Sequence, residues 1–172
     1  MKIYLDACCL NRLTDDQTQL RIRREAEAVE QILRQTRDGE IQWISSEALT
    51  EEIDRNPAVE RRLENAALLA LASESLEVDD SIADRAAKLH IAGYGAYDAL
   101  HLACAEAAQV DVLLTTDDRF IRRATRQDGR PFVAVLNRYP GARRSCHEQP
   151  RHNDGRTIRT PRFGCPPPGT RH

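Results

Sequence analysis

No run of apolar residues in this 172-residue chain approaches the ~20 that a membrane-spanning helix needs. The opening does not read as an apolar leader either: Met1, Lys2, Ile3, Tyr4 and Leu5 reach a carboxylate at Asp6, too early for the core of a secretory signal. The expectation is a soluble, cytoplasmic protein. Paired cysteine spacing is also absent. The five cysteines (Cys8, Cys9, Cys104, Cys146 and Cys165) are odd in number, and Cys8 and Cys9 are adjacent, which suits neither a CxxC knuckle nor an easy disulfide. The five histidines (His90, His101, His147, His152 and His172) do not fall at ligand spacing from the cysteines, so structural zinc is not expected. Reduced, buried thiols are what remains.

Charge is unevenly distributed along the chain, acids are scarce in its last part, and the sign of the net charge changes. Residues 1–137 hold 17 Lys/Arg against 25 Asp/Glu, a net charge of -8, whereas residues 138–172 hold 8 Arg against Glu148 and Asp154, a net of +6. The second stretch also carries six of the eight prolines, including Pro166, Pro167 and Pro168, and shows no hydrophobic periodicity. Such a segment buries too little apolar surface to offset its ordering entropy. We therefore expect a folded domain over 1–137 and a disordered Arg/Pro-rich tail over 138–172. The abrupt change of composition suits either a basic RNA-binding arm or a disrupted reading frame, the latter with fewer assumptions.

Within 1–137 the pattern alternates between strand and helix. Lys2–Leu5 reads as a strand ending at Asp6, and a polar stretch over 11–19 leads into a helix with Ile22, Ala26, Val29 and Leu33 on one stripe. Gly39 stops that helix, 41–44 is the next strand, and Ser45 and Ser46 offer an N-cap for a helix over 47–53. Val59, Leu63, Ala66 or Ala67, and Ala70 repeat at helical spacing over 58–72. A short strand over 76–78 precedes a helix over 82–91 capped by Asp79, Asp80 and Ser81. Gly93 and Gly95 break the chain before a helix over 97–108, with Leu100, Ala103, Cys104 and Ala107 on one face. A strand over 110–114 runs into Thr115, Thr116, Asp117 and Asp118. A short helix over 120–124 and a strand over 132–136 follow. Strands separated by helices imply βαβ units, hence an α/β fold with a mostly parallel central sheet and helices on its faces.

In such sheets, sites gather beyond the carboxyl ends of the strands. Asp6 and Asp117 stand where two strands run out, Asp98 opens the Ala-rich helix, and Glu52 lies about two turns beyond Ser45 and Ser46. Glu47 and Glu51 compete with Glu52 for the second position. Carboxylates brought to one edge repel one another, so the cluster calls for a counter-cation. Hard oxygen ligands favour Mg²⁺ or Mn²⁺ over zinc, and such ions activate water toward a phosphodiester and steady its leaving oxygen.

The wording around these acids resembles a known family. Ile3, Tyr4, Leu5 and Asp6 followed by Asn11 resemble the opening of PIN domains. Tyr97, Asp98, Ala99, Leu100, His101, Leu102 and Ala103 resemble that family's "DAxHxA" helix. The stretch Leu113, Leu114, Thr115, Thr116, Asp117, Asp118, Arg119 and Phe120 resembles its "LLTxDxxF" strand end. The resemblance covers about 1–137. It implies a three-layer α/β/α fold, a Mg²⁺- or Mn²⁺-dependent endoribonuclease, and Asp6, Glu52, Asp98 and Asp117 as both metal ligands and catalytic acids; Ser46 with Glu52 and Ile53 fits the family pattern better than Glu47 or Glu51. Many small bacterial members are VapC-type toxins held by an antitoxin protein, and dimers are common among them, so the resemblance implies an RNA substrate, an antitoxin partner and a homodimer.

Other residues receive local readings. Asn11 and Thr115 serve either as hydrogen-bond partners of metal ligands or as loop caps. Asp118 reads as a solvated turn residue rather than an auxiliary ligand, His101 as a packed helix residue rather than a general base, and Trp43 as core. RNA binding gains from basic patches, which the acidic domain supplies only locally, at Arg21, Arg23 and Arg24 and at Arg119, Arg122, Arg123 and Arg126. A second reading is a non-catalytic PIN-like module that binds RNA or a partner protein. An aspartyl phosphatase is disfavoured because its second Asp, two residues after the first, is Cys8 here.

Overall fold

A computed structural model describes residues 1–126 and 131–137; the tail expected over 138–172 lies outside the described residues. Five strands form one sheet: β1 (Lys2–Leu5), β2 (Gln42–Ser46), β3 (Glu74–Leu76), β4 (Val112–Leu114) and β5 (Ala134–Leu136). Their order is β3-β2-β1-β4-β5, and every neighbouring pair is parallel. The chain therefore builds outward from β1 to β3 on one side, then returns to lay β4 and β5 on the other. The reversal falls between β1 and β4, the position where doubly wound sheets open a crevice at their carboxyl edge.

Seven helices among the described residues flank the sheet: α1 (Ala7–Asn11), α2 (Leu20–Arg37), α3 (Glu47–Asp54), α4 (Val59–Leu69), α5 (Asp80–Ile91), α6 (Ala96–Ala107) and α7 (Asp118–Ala124). This is the three-layer α/β/α arrangement that the resemblance implied, around the parallel sheet expected from the alternation. The α2 stripe lies as its spacing requires, with Ala26, Val29 and Leu33 buried, and Gly39 closes the turn after that helix at φ 76°. Such a left-handed conformation is one a Cβ would strain. Ile3, Tyr4, Leu5, Trp43, Ile44, Leu113 and Leu114 make the sheet's contribution to the core, so Trp43 is core as expected. No helix among the described residues is long and apolar enough to cross a membrane.

Three local expectations are corrected. The third strand lies at 74–76 instead of 76–78, because its register is set by pairing with Ile44, Ser45 and Ser46 rather than by its own apolar residues. In α6 the buried residues are Ala99, His101, Leu102, Ala103, Cys104 and Ala105, while Ala107 is exposed; this helix packs along α5 and also touches α3, β2 and β4, so partners enclose more than one stripe. In α4 the apolar repeat points outward: Val59 is 56% and Leu63 68% exposed, whereas Asn65 is buried. The Asn65 carboxamide donates to Asn11 Oδ1 at 2.8 Å, which ties α4 to α1 through a polar contact.

Candidate metal centre

Each acid of the candidate centre is placed by the local structure around it. Asp6 follows β1 and its backbone N–H donates to Leu114, so the ends of β1 and β4 are locked side by side. Its side chain is buried. The Thr115 hydroxyl donates to Asp6 Oδ2 at 2.7 Å and the Cys8 thiol donates to the same oxygen at 3.0 Å. The other oxygen, Oδ1, lies 3.6 Å from His101 Nε2.

Asp98 sits three residues into α6 from the N-cap Gly95, and the Gly95 backbone N–H hydrogen-bonds the Asp98 carboxylate. This is the return half of a capping box, in which an acid at the third helical position reaches back to the N-cap amide. Burial, then the nearby Asp6 and Asp117 carboxylates, push the Asp98 carboxyl up to about 6. Asp117 caps α7, accepting the Arg119 backbone N–H at 2.6 Å, and its own N–H donates to Thr115 Oγ1 at 3.1 Å. Thr115 therefore braces Asp6 and the backbone of Asp117 together. Thr115 meets both expectations, donating to an acid and capping the loop through the Asp117 N–H. Asn11 instead meets Asn65.

Among the three competing glutamates the structure separates the environments sharply. Glu47 accepts the Val78 backbone N–H at 3.0 Å, and Glu51 is an exposed partner of Arg55. Glu52 turns the other way, with its Oε2 2.5 Å from His101 Nε2. Oxygen and nitrogen atoms of Asp6, Glu52 and His101 all lie within 4.8 Å of one another. Asp118, exposed and held by both terminal nitrogens of Arg21, stands outside this group as a surface ion pair.

His101 is packed inside the protein as expected, but its polar partners were not foreseen. It is fully buried, stacks on Tyr97, and bonds Tyr4 Oη through Nδ1 at 2.9 Å; Tyr4 Oη in turn lies 2.6 Å from Ser46 Oγ. Burial opposes charge on the ring, but the Glu52 hydrogen bond and the Asp6, Glu52 and Asp98 carboxylates raise its pKa above the usual value. The available signal was the position itself: a polar residue one turn after Asp98 in an otherwise Ala/Leu-rich helix.

The donor set fits a hard divalent cation. The structure brings Asp6, Glu52 and His101 within ligating reach of one another, while Asp98 and Asp117 stand outside that group; carboxylates this close would be offset by a cation that accepts oxygen ligands. Beside them runs a cleft lined by Cys8, Arg21, Thr116, Asp117, Arg119 and Arg122.

A parallel α/β/α sheet with acids collected at its topological switch point defines the class: a fold with a candidate cation centre at the carboxyl edge. The family follows from the sequence, for the PIN domain model matches residues 3–126 and the chain belongs to the PIN-domain family. Among solved structures the chain is similar to the crystal structure of FitAcB from Neisseria gonorrhoeae, at TM-score 0.49 and 17% identity, covering 78% of this chain and 96% of that one. No curated protein matches the chain.

Proposed function

We propose that this protein is a metal-dependent endoribonuclease that hydrolyses RNA phosphodiester bonds, with Asp6, Glu52, Asp98 and Asp117 holding Mg²⁺ or Mn²⁺. The observation that carries the reading is the group of Asp6, Glu52 and His101, whose ligand atoms lie within 4.8 Å of one another, with the Asp98 carboxyl nearby raised to about 6 by burial and by the charges of Asp6 and Asp117. Acids from β1, α6 and the end of β4 are close enough to act on one another, and membership of the PIN-domain family supplies the chemistry that uses such a cluster.

A bound divalent cation supplies an activated water and charge stabilisation for the leaving oxygen. The chain's own residues do the rest. Thr115 and Cys8 occupy Asp6 Oδ2, which leaves Oδ1 toward the cluster. The Arg119 amide takes Asp117 Oδ1, and the Gly95 amide orients Asp98, so each acid keeps acceptor capacity for the ion. Arg119 and Arg122 line the adjoining cleft, where guanidinium groups suit the phosphates that flank a scissile bond.

The test is cleavage of a mixed RNA by the purified protein with Mg²⁺ or Mn²⁺, with EDTA, and with Asp98→Asn. Cleavage that needs metal and disappears in the variant supports the reading. A folded protein that takes up metal and leaves RNA intact overturns it in favour of a binding module.

We further propose a role as the toxin of a type II toxin–antitoxin pair, paired with an antitoxin protein; the support is the VapC-like wording of the "DAxHxA" and "LLTxDxxF" segments. Growth arrest on expression, relieved by the product of an adjacent small gene, tests this role. Growth that is unaffected by an active nuclease argues for a housekeeping enzyme.

A further inference from the structure

The Ser46–Tyr4–His101–Glu52 chain joins residues from β1, β2, α3 and α6 through two buried hydrogen bonds of 2.6 and 2.9 Å and a half-buried one of 2.5 Å. Its direction follows from its ends. Glu52, as a carboxylate, only accepts, so the proton between it and His101 sits on Nε2. That holds for either protonation state of the ring. In the neutral ring Nδ1 then accepts from the Tyr4 hydroxyl, Tyr4 accepts from Ser46, and Ser46 Oγ accepts the Leu49 backbone N–H at 3.2 Å. In that neutral form every link is satisfied and each donor points toward Glu52, and in the charged ring the Nε2–H to Glu52 link stays the same.

His101 lies within reach of the same ion as Asp6 and Glu52, which raises the question of whether it is itself a ligand. Two ligands at right angles on Mg²⁺ or Mn²⁺, with bonds of about 2.1 Å, stand about 3 Å apart. His101 Nε2 and Glu52 Oε2 are 2.5 Å apart, a close hydrogen-bonded separation and nearer than two ligands sharing one ion would stand. The Glu52 side chain is 32% exposed and projects from a helix surface, so this bond is what fixes its rotamer.

We propose that His101 is a positioning residue: locked by Tyr4, its Nε2–H holds Glu52 Oε2 and so reserves Oε1 for the divalent cation. This deepens the ribonuclease reading and rests on it for the presence of the ion. The removal of such an outer partner costs a metal site about 10–100-fold in affinity.

The experiment titrates Mn²⁺ into the full-length wild-type protein and into His101→Leu, His101→Gln and Tyr4→Phe, with thermal midpoints in EDTA recorded beside each. His101→Leu is expected to weaken Mn²⁺ binding by about tenfold or more. His101→Gln, which keeps a side-chain N–H donor, recovers most of that loss, and Tyr4→Phe loses less than His101→Leu. These affinities do not follow the EDTA midpoints. Should His101→Leu fail to fold, Tyr4→Phe, which removes one oxygen atom, carries the test. Wild-type affinity in His101→Leu, or in Tyr4→Phe where His101→Leu does not fold, overturns the proposal in favour of simple packing. A loss in His101→Gln as deep as in His101→Leu, with Glu52→Gln still binding, overturns it in favour of direct ligation. Wild-type protein that takes up no Mn²⁺ also overturns it. RNA cleavage is scored separately: an intact affinity series without cleavage sinks the nuclease reading alone, and cleavage with a flat series sinks the positioning role alone.

Discussion

Gly95 and Asp98 are packed so closely that a Cβ on residue 95 would stand 2.8 Å from Asp98 Oδ2. The contact comes from the same turn that lets the Gly95 amide hold the Asp98 carboxylate at the start of α6. A methyl group there must displace either the carboxylate or the turn. Because the clash is with the end of a side chain, Gly95→Ala is expected to cost stability only about 1 kcal/mol, in the range of N-cap changes. Metal binding and RNA cleavage, which need that carboxylate in place, are expected to fall at least tenfold. Thermal melts and Mn²⁺ titration on one preparation separate the two effects; wild-type Mn²⁺ affinity in Gly95→Ala would mean Asp98 has room to move.

The raised Asp98 carboxyl sets a pH dependence. Between the ordinary carboxyl value of 3.8 and about 6, the folded protein binds the Asp98 proton more strongly than the unfolded chain does. Stability of the metal-free protein from this group therefore falls as pH rises through that window. Asp98→Asn removes the term, so its melting temperature in EDTA should gain on wild type at pH 7.5 and show little gain at pH 4. Metal binding has the opposite sense: below about pH 6 the proton competes with the cation, so Mn²⁺ affinity of the wild type drops. A Mn²⁺ affinity that is level from pH 7.5 to 5 would remove Asp98 from the centre.

Substitution of the three neighbouring glutamates discriminates among them. Glu52→Gln is expected to abolish cleavage. Glu51→Gln breaks only an exposed pair with Arg55, worth about 0–1 kcal/mol, and leaves activity unchanged. Glu47→Gln weakens the cap on Val78 N–H and lowers stability slightly with cleavage retained. Loss of activity in Glu51→Gln with Glu52→Gln intact would reverse the assignment.

Arg119 and Arg122 stand in the cleft beside Asp117. If they hold phosphates, Arg122→Ala weakens RNA binding across sequences alike and reduces the dependence of log affinity on log salt by about one unit. Binding of a short RNA at several salt concentrations, measured on Asp98→Asn to prevent cleavage, reads the slope. An unchanged slope places the RNA elsewhere.

Much of this protein was legible from residue order because the relevant physics is local. A hydrophobic strand that ends in a carboxylate places Asp6 or Asp117 at a sheet edge whatever the rest of the chain does. An acid three residues past Gly95 finds the helix's free amide through a contact within one turn. Alternation of strands and helices was enough for parallel layers, and the Ile22, Ala26, Val29 and Leu33 spacing was enough for the α2 stripe.

What needed the tertiary structure was every choice between faces and partners. Glu47, Glu51 and Glu52 occupy one short helix with equal propensity, and only the docking of α3 beside α6 turns Glu52 toward His101. The apolar repeat of α4 marks a helix but not its buried side; α4 meets α1 and α3 across Asn65, leaving Val59 and Leu63 outside. His101 looked like packing because its partners, Tyr4 and Glu52, lie 97 and 49 residues away in sequence. Periodicity reports which residues share a face of their own element. It is silent on what that face meets, since burial and hydrogen bonding at long range are set by the other elements of the sheet and its helices.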